Sequence, residues 1–240
     1  YWLLRVIYFG VNLFISWRHL KQTLRVDWRA KMETVSGWDQ KVHMILLPTY
    51  KEERGVVFQT LSHLKSSSYP SEKMVIVLGG EERDEAHFLQ IAADAQKEFA
   101  GVFRDILVTV HPSNLSGELP GKGSNLHFVG PHLKTYADAH ALKYSDVIVS
   151  AFDVDTLADS HYFSYLTYTY CTHPNPTRSS YQPVPLYHNN MWNVSAVARI
   201  MSFGTTFWML SEITRPKRLW TFSSHSMSLR ALVDVGYWQK

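Results

Sequence analysis

The residues best placed to do chemistry stand at the end of an apolar run, where Val147-Ile148-Val149-Ser150-Ala151-Phe152 leads into Asp153-Val154-Asp155. A buried-strand pattern with two carboxylates at its tip carries a cost, because neighbouring anionic oxygens repel unless a proton or a divalent cation offsets them. Hard oxygen donors of this kind suit Mg2+ or Mn2+ carrying a diphosphate. Two solvated turn aspartates are the plainer alternative. Other apolar runs end in residues of similar interest. Pro48-Thr49-Tyr50-Lys51-Glu52-Glu53 closes the first: Pro48 stops a ladder, Thr49 is suited to cap the next helix, and the acidic pair complements a helix N-terminus. Gly79-Gly80-Glu81-Glu82 closes the second, with two glycines that admit a close backbone approach and a carboxylate behind them. Leu119-Pro120-Gly121-Lys122-Gly123-Ser124-Asn125 precedes a helix, and its amides and ammonium suit an anion, although it lacks the Lys-Ser/Thr pair of a Walker loop. No Gly-x-Ser-x-Gly elbow is present, and the 12 His show no metal-binding period on a helix.

Elements that would position these groups follow from the periodicity. Strands are expected at 42–47, 73–78, 106–110 and 146–152, alternating with amphipathic helices at 54–65, 83–99 and 124–142. That alternation predicts an α/β fold with a mostly parallel sheet flanked by helices. In such sheets ligands sit beyond the carboxyl ends of the strands, where the residues above fall. Beyond Asp155 the pattern changes to a Tyr-rich helix at 160–171, a Pro-rich turn, a short strand at 181–186 and an apolar helix from 191 to 211. The helix at 191–210, with Trp192, Phe203, Phe207 and Trp208, suits either core packing or rest against a bilayer.

Composition limits the classes further. Apolar residues make up 45% and charged residues 19% of 240, enough to order a full core. A net charge of +3 is too small to imply a nucleic-acid partner. Cys171 is the single cysteine, which excludes a disulfide framework and a Cys-based zinc site. Residues 1–17 are nearly all apolar and are followed by Arg18, Lys21, Arg25, Arg29 and Lys31 against Asp27 alone, the asymmetry of a membrane-proximal helix on the cytoplasmic side. A buried amphipathic helix with a basic face is the other reading. The expected organisation is a membrane-proximal helix at 1–31 and a globular core at 41–240, which the family resemblance described next would divide into a nucleotide half at 41–157 and an acceptor half at 158–240.

Taken in order, these motifs resemble the family-2 glycosyltransferases of the GT-A (Rossmann-like) fold, the group that includes cellulose- and hyaluronan-synthase-like enzymes. The resemblance rests on Leu47-Pro48-Thr49-Tyr50-Lys51-Glu52, Gly121-Lys122-Gly123-Ser124-Asn125-Leu126, Asp153-Val154-Asp155, Gln182-Pro183, and Phe222-Ser223-Ser224-His225 running into Arg230-Ala231-Leu232 and Gly236-Tyr237-Trp238. It implies a metal-dependent, inverting transfer of a sugar from a nucleoside diphosphate donor, UDP-sugar above all, to a carbohydrate or lipid-linked acceptor at the cytoplasmic face of a membrane. Pro48, Thr49, Tyr50 and Glu52 would line the nucleoside pocket, and Glu81 would stand where the family has an acid for base or ribose. Lys122 and Asn125 would approach the diphosphate, Asp153 the ribose or sugar, and Asp155, with Asp153, the Mg2+ or Mn2+. Gln182, Ser224 and His225 would border the acceptor. The family's general base follows the glycine–aromatic turn, so it is expected beyond Lys240.

Two other readings use the same residues. Asp153-Val154-Asp155-Thr156 also matches the first motif of haloacid-dehalogenase-type phosphatases, with Asp153 as nucleophile and Asp155 as proton shuttle. That motif normally opens its domain, whereas here it follows several strand-like runs. A non-catalytic nucleotide-sugar-binding module is the third reading.

Overall fold

The computed structural model describes residues 1–118, 121–186, 195–212 and 224–239. The chain forms two compact units, one of Tyr1–Val26 with Gln182–Phe222 and one of Asp27–Tyr181 with Ser223–Lys240. The second unit holds the six-stranded sheet, ordered β3-β2-β1-β4-β6-β5. Its strands are β1 (Val42–Pro48), β2 (Met74–Glu81), β3 (Asp105–His111), β4 (Val147–Ala151), β5 (Ser180–Tyr181) and β6 (His225–Ser228). The first four are parallel, while β6 runs antiparallel to both β4 and β5. The expected α/β class with a mostly parallel sheet flanked by helices is observed.

Central strands of this sheet are mostly apolar because both of their faces are covered, with His43 of β1, Ser150 of β4 and Glu81 of β2 the buried polar exceptions. Ile45 and Leu47 of β1, with Ile76 and Leu78 of β2, face a core built by Met32 of α2 (Trp28–Glu33), Val57 and Leu61 of α3 (Arg54–Lys65), Phe88 and Ile91 of α4 (Glu85–Glu98) and Phe163 of α6 (Tyr162–Thr172). Met44 and Leu46, with Val75, Val77 and Val149, face the opposite core, closed by Leu126, Val129 and Leu133 of α5 (Lys122–Ala139) and Leu229 and Leu232 of α8 (Leu229–Val235). The result is three layers with two distinct cores.

Strand order places the site. From β1 the chain builds outward to β2 and β3, then returns to lay β4 on the other side of β1. The direction of winding therefore reverses between β1 and β4, and in sheets of this kind ligands bind at such a point, beyond the carboxyl ends of the parallel strands.

The other unit contains α1 (Trp2–Thr23) and α7 (Ala196–Glu212), which pack against one another. Among the described residues no helix is long and apolar enough to cross a membrane. The expected segment at 1–31 divides at Val26, because Trp28 and Met32 are buried and the Trp28 ring packs at a tilt against Tyr165 of α6, with ring centroids 4.1 Å apart. Arg29 donates to the Ser68 carbonyl at 2.9 Å, and Lys31 lies 4.8 Å from the Tyr168 ring centre. Those two cations thus serve the sheet unit. The expected strand at 181–186 shrinks to Ser180–Tyr181, and the start of the helix expected from Met191, with Trp192, lies outside the described residues.

Candidate donor-binding site

The aspartates are presented by anchoring the residues between them. Phe152 and Val154 are buried in the core beside α3 and α6, and the Val154 carbonyl accepts from the Thr60 hydroxyl at 2.5 Å. Asp153 and Asp155 are left on the solvent side, Asp153 partly covered and Asp155 exposed. Pairing carries on past β4, with the Phe152 N–H donating to the Leu46 carbonyl at 3.0 Å, so the tip is held firmly against β1.

Lys122, the first residue of α5, reaches Asp153, with its Nζ 2.6 Å from Oδ1. A lysine at a helix N-terminus adds to the positive end of the helix dipole, and a carboxylate there offsets both. Asn125, one turn further, is buried, and its Nδ2 donates to the carbonyls of Gly79 at 3.0 Å and Gly80 at 3.2 Å. Its amide nitrogen thus ties α5 to the end of β2. The two glycines have packing reasons: a Cβ on Gly79 would collide with Oδ1 of Asn125, and one on Gly80 with the Phe88 ring. Leu119 and Pro120 lie outside the described residues.

At the end of β1, Thr49 is buried and extends the strand, its N–H donating to the Gly79 carbonyl at 2.8 Å. Its hydroxyl donates to the Leu47 carbonyl at 3.1 Å, so it does not cap α3, whose N-terminal residue Glu53 makes no side-chain cap. Lys51 then turns through a left-handed conformation, φ 64°, and its N–H donates to Asp84 Oδ2 at 2.9 Å. Pro48 is half-buried, and Tyr50 is exposed. Glu52 accepts from the Tyr50 N–H. Burial raises the Glu52 carboxyl above its ordinary range, and the charges of Asp155 and Asp84 push it the same way. The ends of β1 and β4 therefore share one field of carboxylates.

Glu81 closes β2 and is buried, 3.1 Å from the Arg83 guanidinium and 4.0 Å from Nδ1 of His111, its register partner on β3. His111 Nε2 lies 3.0 Å from Glu118, and both side chains are buried. Arg83 also lies over the Tyr50 ring, 4.5 Å from its centre, and so links the ends of β1 and β2. Arg83, His111 and Glu118 were not picked out from the sequence. His111 could have been, as the last residue of an apolar run directly before Pro112.

On the far side of β4, His225 opens β6 opposite Ala151, next to the aspartate tip, and Ser224 is buried. The Trp238 indole N–H donates to His225 Nε2 at 3.1 Å, which places the imidazole proton on Nδ1. The Gly236–Trp238 turn is seated on α5: His127 Nδ1 meets the Trp238 carbonyl at 2.5 Å, and the Tyr237 ring fills the space a Cβ on Gly130 would need. Gln182 belongs to the other unit, where its Nε2 donates to the Pro183 carbonyl at 3.1 Å. Phe222 and Ser223 lie outside the described residues.

A divalent ion fits these residues only in part-share. Among the described residues no cluster of three or more His, Cys, Asp or Glu is arranged to hold a metal by itself. Mg2+ and ions like it are commonly held by one or two carboxylates with substrate phosphates completing the shell, and Asp153 and Asp155 supply that number.

Fold and site define an α/β protein whose sheet reverses its winding beside Asp153, Asp155, Lys122 and the N-terminus of α5. No protein-family profile matches the chain, and no curated protein matches it significantly. Among solved structures it is similar to a mannosyltransferase from Pyrobaculum calidifontis in complex with GDP-Man and Mn2+, with 16% identity and a TM-score of 0.47. The match covers 98% of this chain and 57% of the other, so the chain spans little more than half the length of that protein. An architecture of this kind hosts many activities, and function has to be argued from the site.

Proposed function

We propose that the chain is the donor-binding core of a metal-dependent glycosyltransferase of the GT-A type, similar to family 2, which transfers a sugar with inversion from a nucleoside diphosphate, UDP in the first instance, to an acceptor hydroxyl. The observation that carries this reading is the meeting of Lys122 with Asp153 at 2.6 Å beside the switch point, which unites a helix N-terminus, an ammonium and the aspartate tip at one place. A diphosphate needs cationic and N–H partners, and its divalent counter-ion needs carboxylates; both sets are present there.

Asp155 and Asp153 would hold Mg2+ or Mn2+, which when bound would neutralise the departing diphosphate. Lys122 then turns from Asp153 toward the phosphates. Tyr50 offers an aromatic face for the base, while Glu81, held by Arg83, accepts N–H or O–H donors from base or ribose. Glu52, with its raised carboxyl, tolerates the acidic neighbourhood. Asn125 keeps α5 in place, and Ser224 and His225 border the acceptor side.

Calorimetric titration of UDP, GDP and a phosphomonoester, each with and without Mn2+, tests this. Nucleoside diphosphate affinity is expected to fall at least about tenfold without the ion and again in Asp155→Ala, with no binding of the phosphomonoester. Ion-independent binding that survives Asp155→Ala would sink the proposal. Phosphomonoester hydrolysis lost in Asp153→Asn would replace it with the phosphatase.

A further inference from the structure

Lys122 and a divalent ion would compete for one carboxylate. The Lys122 Nζ lies 2.6 Å from Asp153 Oδ1, as close as an ammonium and a carboxylate come, and Asp153 is one of the two acids that the strand tip offers a metal. A second cation on that carboxylate would face the ammonium across a gap far shorter than the roughly 8–10 Å over which salt screens charge. No other ligand set stands by. Among the described residues no three of His, Cys, Asp and Glu are arranged to hold a metal, so affinity for the ion at this tip depends on access to Asp153.

The contact is of a kind that yields. Its side chains are 30% and 45% exposed, and ion pairs so open to water hold weakly. The backbone beneath Lys122 stays in place, because Asn125 ties the first turn of α5 to the Gly79 and Gly80 carbonyls and donates its own N–H to the Gly121 carbonyl at 3.2 Å. The flexible four-carbon stem alone therefore moves the charge from one anion to another. A diphosphate carries more negative charge and more acceptor oxygens than one carboxylate, so it draws the ammonium away and leaves Asp153 to the ion. We infer that Lys122 sets the order of assembly: it holds Asp153 until a nucleoside diphosphate takes it over, so that the divalent ion enters with the nucleotide and binds poorly alone. The inference rests on the donor-site reading above. By linkage, the factor by which nucleotide tightens the ion equals that by which the ion tightens nucleotide, and both shrink once position 122 is uncharged.

Mn2+ binding to the whole chain, followed by loss of the free-ion electron paramagnetic resonance signal, tests this without any turnover. Lys122→Met removes the charge and keeps the stem, and it is expected to bind Mn2+ alone about tenfold more tightly than the parent chain. Lys122→Gln should do the same, whereas Lys122→Arg should stay at the parent value. Adding Asp155→Ala to Lys122→Met should abolish the gain. Calorimetry should show the coupling between UDP and Mn2+ reduced by about the same factor in Lys122→Met, with far-UV circular dichroism confirming that each variant is folded. Equal Mn2+ affinity in the parent and both neutral variants, with UDP binding still dependent on Mn2+, would overturn the order and leave the donor site standing. A gain that survives Asp155→Ala would put the ion elsewhere and overturn it as well. UDP binding indifferent to Mn2+ in the parent chain would remove the donor-site reading and this inference together.

Discussion

His43 sits at the centre of β1, fully buried, its ring edge-on to Tyr69 and Phe163 and its Nε2 2.8 Å from the Thr167 hydroxyl. Burial lowers its pKa from 6.5 to about 3. The unfolded chain therefore binds a proton at this residue below about 6.5 while the folded chain does not, and stability falls as pH drops from about 6.5 toward 3. Urea unfolding across that range is expected to show the loss, and His43→Met to flatten it; an unchanged slope in the variant would mean that other groups carry the acid sensitivity. The sequence shows His43 within an apolar run but not its depth, because depth depends on which helices cover both faces of β1. The same limit applies to Gly79 and Gly80. Their sequence suggests room for a ligand, but the room is taken by Asn125 of α5, distant in sequence, and by Phe88 of α4, the helix that follows β2.

Parallel strands buried on both faces leave long apolar runs, and for that reason β1 to β4 and helices α3 to α6 could be placed from the sequence to within a few residues. Strand β6 could not. It pairs with β4 through small polar groups, with Ser226 Oγ 2.7 Å from Ser150 Oγ and 3.1 Å from the Tyr162 hydroxyl, so it carries no hydrophobic signature. Helix α5 is where element and site meet. Asn125 joins it to two β2 carbonyls, and Lys122 lies one turn away beside Asp153. Asn125→Ala leaves those carbonyls short of a buried donor and is expected to cost about 1–3 kcal/mol in denaturant unfolding. If α5 places Lys122 for the phosphates, the same variant also weakens Mn2+-dependent nucleotide binding. Stability loss with unchanged affinity would leave Asn125 a purely structural tie.

Across the whole molecule, the compact units are not contiguous along the chain. The sequence reads as a nucleotide half followed by an acceptor half, yet the sheet unit is completed only after the chain has left it at Tyr181 and come back near Ser223. Residues 182–222 are an excursion between β5 and β6, and these strands are antiparallel neighbours with Tyr181 directly opposite Ser226. Strand ends so close can be bridged by a hairpin loop of about four residues with Gly or Asn at the positive-φ positions. A chain of residues 27–181 joined through such a loop to 224–240 keeps both cores, and it retains Tyr50, Glu81, Lys122, Asp153 and Asp155. It also discards the exposed apolar surface of α1 and α7. The shortened chain is expected to stay soluble without detergent, to unfold in one cooperative transition, and to bind nucleoside diphosphate with Mn2+ within about threefold of the full chain. Aggregation or a broad, non-cooperative melt would show that the sheet unit depends on the helices removed. Cooperative folding with lost nucleotide affinity would instead assign part of the donor site to the segment at 182–222.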